Sequence, residues 1–297
     1  DKGDHEINVT YSGDENYTTT NNVTSISVPA LVNYDLPMSV SDIDYGADAT
    51  VNVTLPDGAK LDNLTFYVDG TPVPASDVSY DPATHVASIT VVNPKAGEHT
   101  VKVAYAEDLI YADKENSTTF NVAKVEPGIK EINVTEPINV GEVANVTVKL
   151  PADANGTITV NVNGTKYTAN VVNGEANISI PKLGNGTYVV NITYSGDGNY
   201  DPINVVKELQ VNKVTPEITA NTSDITLGDN AVVDVTLPND VTGTVTIKVA
   251  GIEQTVAVTG GVNHITVPGI TVGENQHVSI TYTGNDKYTP NATSTSI

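Results

Sequence analysis

The sequence predicts an all-β chain of tandem antiparallel sandwiches, and three observations carry that expectation. Val, Ile and Thr dominate, while Gly, Pro and Asn punctuate the chain at short intervals. Apolar and polar residues alternate with period two in many short runs. A set of unrelated markers recurs at intervals of about 90 residues, the sign of a repeated structural unit.

Charge and composition narrow the function classes first. The 297 residues carry 36 acidic and 14 basic side chains, every basic one a Lys, for a net charge of −22. A surface of that sign repels polyanions and offers no clustered Arg and Lys to track phosphates, so nucleic acid is excluded as a partner. Cys is absent, which removes disulfides, thiolate zinc sites and thiol nucleophiles together. No apolar run approaches the ~20 residues of a membrane helix, and no signal segment opens the chain, so any export or anchoring signal is expected outside it.

The repeat is clearest in pairs of Tyr six residues apart: Tyr11 and Tyr17, Tyr105 and Tyr111, Tyr194 and Tyr200, Tyr282 and Tyr288. Successive pairs are offset by 94, 89 and 88 residues (105−11, 194−105, 282−194). Leu55-Pro56, Leu150-Pro151 and Leu237-Pro238 keep the same register, as do Gly70, Gly164 and Gly251. These markers place Ig-sized units at 29–124, 125–213 and 214–297, preceded at 1–28 by the C-terminal hairpin of an incomplete unit. A lone hairpin is marginal in water, so 1–28 is expected either to belong to a longer chain or to take its missing strands from a neighbouring molecule.

Within a unit the runs read as half-buried strands. Val51, Val53 and Leu55 share one face while Thr50, Asn52 and Thr54 share the other; Asn145–Leu150, Thr157–Val162 and Asn191–Tyr194 behave alike. Asp69-Gly70 and Asn163-Gly164 mark the tight turns. About seven runs in roughly 90 residues is the count and size of an immunoglobulin-like sandwich. The first Tyr of each pair continues the inward parity of its strand, so its ring is expected in the core; the second, past the turn, packs back across the hairpin. Six residues before the first Tyr stand His5, His99, Tyr188 and Gln276, polar side chains placed to tie down the preceding loop in the manner of a tyrosine corner. The joints Ala123-Lys124-Val125-Glu126-Pro127 and Asn212-Lys213-Val214-Thr215-Pro216 are short and carry Pro, so the units are expected to form an elongated, semi-rigid rod of roughly 11–13 nm.

The motif Tyr-x-Gly-Asp-x-x-Tyr with its last strand and Lys-Val-x-Pro joint, from Tyr194 to Pro216, resembles the Ig-like repeats of the bacterial Ig-like (Big) superfamily. The Asn- and Thr-rich array resembles those of adhesin-like surface proteins of methanogenic archaea. The resemblance covers nearly the whole chain and implies domain type, an archaeal source and a place at the cell surface. It does not imply one function, because such repeats serve as stalks beneath many different tips.

Asn-x-Ser/Thr occurs at fifteen positions, Asn8, Asn16, Asn22, Asn52, Asn63, Asn116, Asn133, Asn145, Asn155, Asn163, Asn177, Asn185, Asn191, Asn221 and Asn291. Random placement gives about five or six. Strand alternation in an Asn- and Thr-rich chain makes some of these without selection for sugar, but Asn is a poor strand residue, and N-glycosylation of several sites is expected. Asp42, Asp44 and Asp48 are weak calcium candidates; their spacing is not repeated in the other units, so a solvated acidic loop is preferred and no cofactor is expected. A Lys130–Asn212 isopeptide bond aided by Glu142 is disfavoured because the third unit has no equivalent Lys. His85 and His264 stand alone in polar strands, no nucleophilic triad can be placed, and no phosphate loop is present, so no enzyme is expected.

The sequence thus predicts an extracellular stalk segment of a glycosylated, adhesin-like surface or fibre protein, touching neighbouring repeats or identical chains. Two other readings stay open. Exposed Tyr34, Tyr45, Tyr67 and Tyr80 of the first unit could grip carbohydrate or protein, or the hairpin at 1–28 could build a filament by strand complementation.

Overall fold

The computed structural model describes every residue except 1, 227 and 272. Nearly all regular structure is β, and two single turns of 3-10 helix, Leu61–Asn63 and Ala75–Asp77, lie within the first sandwich. The chain divides into two compact units, Asp1–Val125 with Gly198–Tyr200, and Glu126–Asp197 with Asp201–Ile297.

The first unit opens on a two-stranded hairpin, Gly3–Tyr11 against Thr20–Val28. A full sandwich follows. One sheet runs in the order Met38–Ser39, Ala49–Thr54, Val86–Val91, Ser79–Asp81; the other in the order Ile43–Asp44, Lys114–Ala123, Gly97–Tyr105, Leu64–Val68, Thr71–Pro72. The alternation seen in the sequence is the cause of the layers. Val51, Val53 and Leu55 are buried while Thr50 and Thr54 face solvent, and the opposite sheet answers with Phe66, Val101, Val103, Tyr105 and Phe120. Each such side chain contributes about 1.5–3 kcal/mol by leaving water. The sandwich has nine strands rather than about seven, because pairs such as Met38–Ser39 and Ile43–Asp44 are short edge pieces on different sheets. The leading segment therefore switches sheets, and its second piece runs parallel to the last strand, Ile43 with Val122 and Asp44 with Ala123.

The second unit repeats this plan. Glu131–Val134, Ala144–Lys149 and Glu175–Ile180 form one sheet; Ile138–Asn139, Ile203–Asn212, Gly186–Tyr194, Thr157–Val162 and Thr165–Asn170 form the other. Ile138–Asn139 again pairs parallel with the last strand at Val211 and Asn212. The closing part, from Thr219 onward, is continuous where the others are divided. Ala231–Val249 and Ile252–Val267 run as one long hairpin, with a register shift between Leu237 and Thr242. Before the shift Val233–Thr236 pairs with Thr219–Thr222, and after it Val245–Lys248 pairs with Ser279–Tyr282. One pair of strands thus serves both layers, bending at an irregularity.

Backbone conformation fixes these turns. Asp69-Gly70, Asn163-Gly164 and Ala250-Gly251 each have both φ values positive, near 50° then near 80°, which is the two-residue hairpin turn. Gly260 is needed for a different reason: a Cβ there would lie 1.9 Å from the Asn239 carbonyl oxygen where the long strands bend. Gly260→Ala is expected to destabilise this sandwich by more than about 3 kcal/mol. Gly251→Ala meets nothing within 4 Å and has only its φ to offend, so it should cost about 1 kcal/mol. Urea denaturation of the two variants checks the order; equal losses would mean that the close approach at Gly260 is not limiting.

Candidate functional site

The tyrosine pairs are the most developed side-chain constellation. Tyr105, Tyr194 and Tyr282 are fully buried, and Tyr111, Tyr200 and Tyr288 nearly so. The residue three places after the first Tyr organises the turn between them. Asp108 Oδ1 accepts the N–H groups of Ile110 and Tyr111, both at 2.7 Å, while its own N–H donates to the Tyr111 carbonyl at 3.0 Å. Asp14 does the same for Asn16 and Tyr17, and Asn285 for Lys287 and Tyr288. The shared element is therefore an Asx turn, which explains why Ala106-Glu107 can replace the Ser-Gly found elsewhere. The Tyr111 and Ile110 N–H groups, with the Tyr105 hydroxyl, hold the Asp108 carboxyl below the usual carboxylate range.

The ring hydroxyls then reach the loop after the Leu-Pro marker. Tyr105 Oη donates to Asp108 Oδ2 at 2.7 Å and accepts the Lys60 N–H at 3.0 Å; Tyr111 Oη donates to the Asp57 carbonyl at 2.7 Å. Near the C-terminus Tyr282 Oη donates to the Thr242 carbonyl and Tyr288 Oη to Asp240 Oδ1, a carboxylate also bonded by Lys287. A leading valine closes the arrangement by bridging in parallel to the second Tyr: Val32 to Tyr111, Val125 to Tyr200, Val214 to Tyr288.

The polar side chains at the strand entrance tie down the loop before them. His99 Nε2 bonds the Lys95 carbonyl at 2.8 Å, Tyr188 Oη donates to the Gly184 carbonyl at 3.1 Å, and Gln276 Nε2 donates to the Thr271 carbonyl. His99 Nδ1 also lies 2.7 Å from Asp69 Oδ2, and its ring stacks on Phe120 with centroids 5.3 Å apart. Both ring nitrogens face acceptors, so the doubly protonated imidazolium is favoured. The Lys95 carbonyl, then the Asp69 carboxylate, raise the His99 pKa above its ordinary value.

None of the fifteen sequon asparagines is buried. Eleven are exposed, and Asn52, Asn63, Asn191 and Asn291 are half-buried. The structure also gives a reason for Asn on strands that the sequence did not disclose. Asn52 Oδ1 accepts the Ser88 hydroxyl, Asn145 Oδ1 the Ser179 hydroxyl and Asn177 Oδ1 the Thr147 hydroxyl, at 2.6–2.8 Å across neighbouring strands. Four sequon amides donate within the fold: Asn116 to the Leu36 carbonyl, Asn155 to the Asp153 carbonyl, Asn177 to Glu175 Oε1 and Asn291 to the Pro216 carbonyl.

Other candidates are dispersed. Asp42 Oδ1 accepts the Asn121 N–H and Asp48 Oδ1 the Asn93 N–H, so these carboxylates fasten separate loops, and Asp44 lies in the short parallel strand. Among the described residues no group of three potential metal ligands forms. Lys130 borders one sheet, its N–H bonded to the Lys149 carbonyl, whereas Asn212 ends a strand of the other and Glu142 bonds Asn139. Tyr34, Tyr45, Tyr67 and Tyr80 are half-buried, not exposed as expected. Tyr34 lies edge-on to Tyr105 and Tyr111, Tyr45 edge-on to Tyr200, and Tyr67 beneath the Lys102 ammonium at 4.9 Å. Tyr80 borders an open groove of about 550 Å³ with Ser39, Asn52, Thr54 and Ser88. His85 and His264, read as solitary, have partners: His85 Nδ1 meets Tyr80 Oη at 3.2 Å, and His264 Nδ1 meets Asp234 Oδ1 at 2.6 Å across the strands.

Paired antiparallel sheets, a parallel first-to-last strand contact and a tyrosine-locked final hairpin define tandem immunoglobulin-like domains. Residues 132–212 match the family model for the bacterial Ig-like domain (group 3), and the chain as a whole has the fold of tandem Ig-like domains. Among solved structures it is similar to titin domains A168–A170 (13% identity, 88% of this chain and 98% of that one, TM-score 0.38). It is also similar to Sidekick-1 immunoglobulin domains 1–5 (11%, 96% and 64%, 0.35) and to a 1.5-MDa bacterial ice-binding adhesin (15%, 89% and 98%, 0.28). No curated protein sequence matches it.

Two expectations follow. Among the described residues the Tyr34 hydroxyl is buried without a hydrogen-bond partner, and burial, with Tyr105 and Asp108 nearby, pushes its pKa up to about 12. Tyr34→Phe should leave stability unchanged or raise it by about 1 kcal/mol, while Tyr105→Phe, which orphans the Lys60 N–H and loses Asp108, should cost about 1–3 kcal/mol. Chemical denaturation of both variants decides; a destabilised Tyr34→Phe would reveal a partner for that hydroxyl. For His99 the folded pKa is the raised one, so its stabilisation is complete below the unfolded value of about 6.5 and is lost as pH rises through the folded value. Melting of the wild type should fall over that window relative to His99→Gln, and parallel curves would show that the imidazolium is not what binds the loop.

Proposed function

We propose that this chain is a structural stalk segment of a long, glycosylated, cell-surface adhesin-like or extracellular fibre protein. Its repeats are taken as 29–124, 125–213 and 214–297, with no catalytic role and with neighbouring repeats or identical chains as its contacts. The observation that carries the reading is the placement of the sequons: fifteen asparagines spread over the chain, none of them in a core. A domain kept for a pocket concentrates polar side chains that converge on one place. Here they are distributed over outward faces, as a hydrated, sugar-bearing exterior requires. Sugar at those positions, together with the charge of −22, would keep neighbouring arrays apart and guard sheet edges from pairing.

A second reading rests on the Tyr80 groove, in which hydroxyls, the Asn52 amide and one aromatic ring share an open sheet face. It makes the first repeat a carbohydrate- or protein-binding module within the stalk, and glycan-array binding retained by Tyr80→Ala would count against it.

Glycopeptide mass spectrometry on protein from its native source tests the main reading. Sugar masses are expected on several exposed asparagines, with lower occupancy at Asn116, Asn155, Asn177 and Asn291, whose amides already donate within the fold. An unmodified chain would remove the principal support for the stalk.

A further inference from the structure

The long hairpin of the closing sandwich leaves one side of a strand open. Ile252–Val267 runs for 16 residues and pairs with Ala231–Val249, and no strand among the described residues pairs with its other side. The turn decides which groups point there. Ala250-Gly251 is a two-residue turn flanked by the pair Val249 and Ile252, so Ile252, Gln254, Val256 and Val258 bond across the hairpin, and Glu253, Thr255 and Ala257 turn their N–H and C=O groups outward. Such a row is a template for another strand, and folded proteins blunt it with short strands, Lys or Pro. The corresponding edges of the other two sandwiches are blunted in these ways. In the first it is Thr71–Pro72, two residues of which the second has no N–H. In the second it is Thr165–Asn170, where exposed Lys166 stands at the position of Glu253, two residues past the turn glycine in each case (166−164, 253−251). Glu253 itself is ion-paired with Lys248 Nζ at 3.2 Å. No Lys or Pro occurs from 252 to 267, and no sequon falls between Asn221 and Asn291.

We propose that this open edge pairs with the same edge of a second copy of the chain, antiparallel about a two-fold axis at Thr255. The segment is self-complementary in that register. Thr255 meets its own counterpart and Glu253 meets Ala257, so all three residues offer their outward N–H and C=O groups to one another and no two carboxylates stand opposite. On the inner face Gln254 meets Val256 and Ile252 meets Val258. Ile252 and Val256 are half-buried at the margin of the core, and a further strand covers what they leave open to water. Pairing ends at Thr259, whose N–H is already taken by Asn263 Oδ1 at 3.1 Å. The joined stretch is therefore short, and the association is weak and reversible. A two-fold pair uses up both open edges, so it stops at two copies. A different protein is the poorer occupant, because residues 254–263 carry no charged side chain to select one. The same absence spares two copies with a charge of −22 each from repulsion at the point of contact. The inference rests on strand pairing and register, and it holds whether or not the chain is a stalk or its sequons carry sugar.

Sedimentation equilibrium of the 297-residue chain across a range of concentrations provides the test. The wild type should show a reversible monomer–dimer equilibrium. Thr255→Lys, at an exposed position, sets two ammonium groups opposite each other and should weaken it at least about tenfold. Thr168→Lys, on the edge of the second sandwich, should leave it unchanged. An equimolar mixture of Thr255→Lys and Thr255→Glu chains should recover the dimer mass, since each lysine then faces a glutamate. Hydrogen exchange on the wild type needs no variant: the amides of 253, 255 and 257 should gain protection as concentration rises, while those of 166 and 168 should not. A wild type that stays monomeric at every concentration, or grows beyond two copies, would overturn the proposal. So would a dimer that Thr255→Lys leaves intact, or one that forms without protecting those three amides.

Discussion

In the first and last sandwiches the final hairpin is fastened by tyrosine hydroxyls that reach the loop after the Leu-Pro step, and much of the sandwich depends on that fastening. A buried phenol oxygen without a partner costs about 1–3 kcal/mol, so placing these rings in the core is favoured where the loop delivers an acceptor or donor to them. Lys60 and Asp57 do so for Tyr105 and Tyr111, and Thr242 and Asp240 do so for Tyr282 and Tyr288. Loop and hairpin are far apart in sequence and each is incomplete alone, which makes them one cooperative element. The shared register of the Tyr and Leu-Pro markers is then a single constraint seen from its two ends.

Much of the fold was legible because its causes are local. Alternation in Ala49–Leu55 writes the inward face directly, and Asp69-Gly70 or Asn163-Gly164 can hardly be anything but tight turns. What escaped the reading was non-local. Nothing in 231–267 announces that two strands continue through both layers, since the bend at Leu237–Thr242 depends on the close approach of Gly260 to Asn239 across the hairpin. The short sheet-switching pieces, such as Met38–Ser39 and Ile43–Asp44, are defined by their partners more than by their own residues.

The side-chain constellations were legible in the same proportion. The polar side chains before each first Tyr, His99, Tyr188 and Gln276, find the upstream carbonyls that their position suggested. The Asx residue of the turn is plain in the sequence at Asp14, Asp108 and Asn285, but its role there is set by side-chain bonds to backbone N–H groups that the neighbouring Gly does not announce. Tyr34, Tyr45, Tyr67 and Tyr80 are half-buried rather than exposed, because a lone aromatic ring, whether in a loop as Tyr34 and Tyr45 or on a strand as Tyr67 and Tyr80, gives no sign of the neighbours it will lean on. Asn on strands likewise has a second cause, cross-strand pairing with Ser and Thr hydroxyls, which composition cannot separate from a role in carrying sugar.

The leading segment and the last strand lie side by side and parallel, at Ile43 with Val122 and at Ile138 with Val211, with Val214 bridging Tyr288 near the C-terminus. Tension applied to the two ends of such a domain pulls the parallel neighbours past one another along their length. The hydrogen bonds between them share that load and give way together, whereas an antiparallel hairpin at the ends would unzip one rung at a time. Rupture under force is governed by the barrier to opening, so this seam is where a pulled sandwich resists. With no Cys in the chain, no disulfide shares that load.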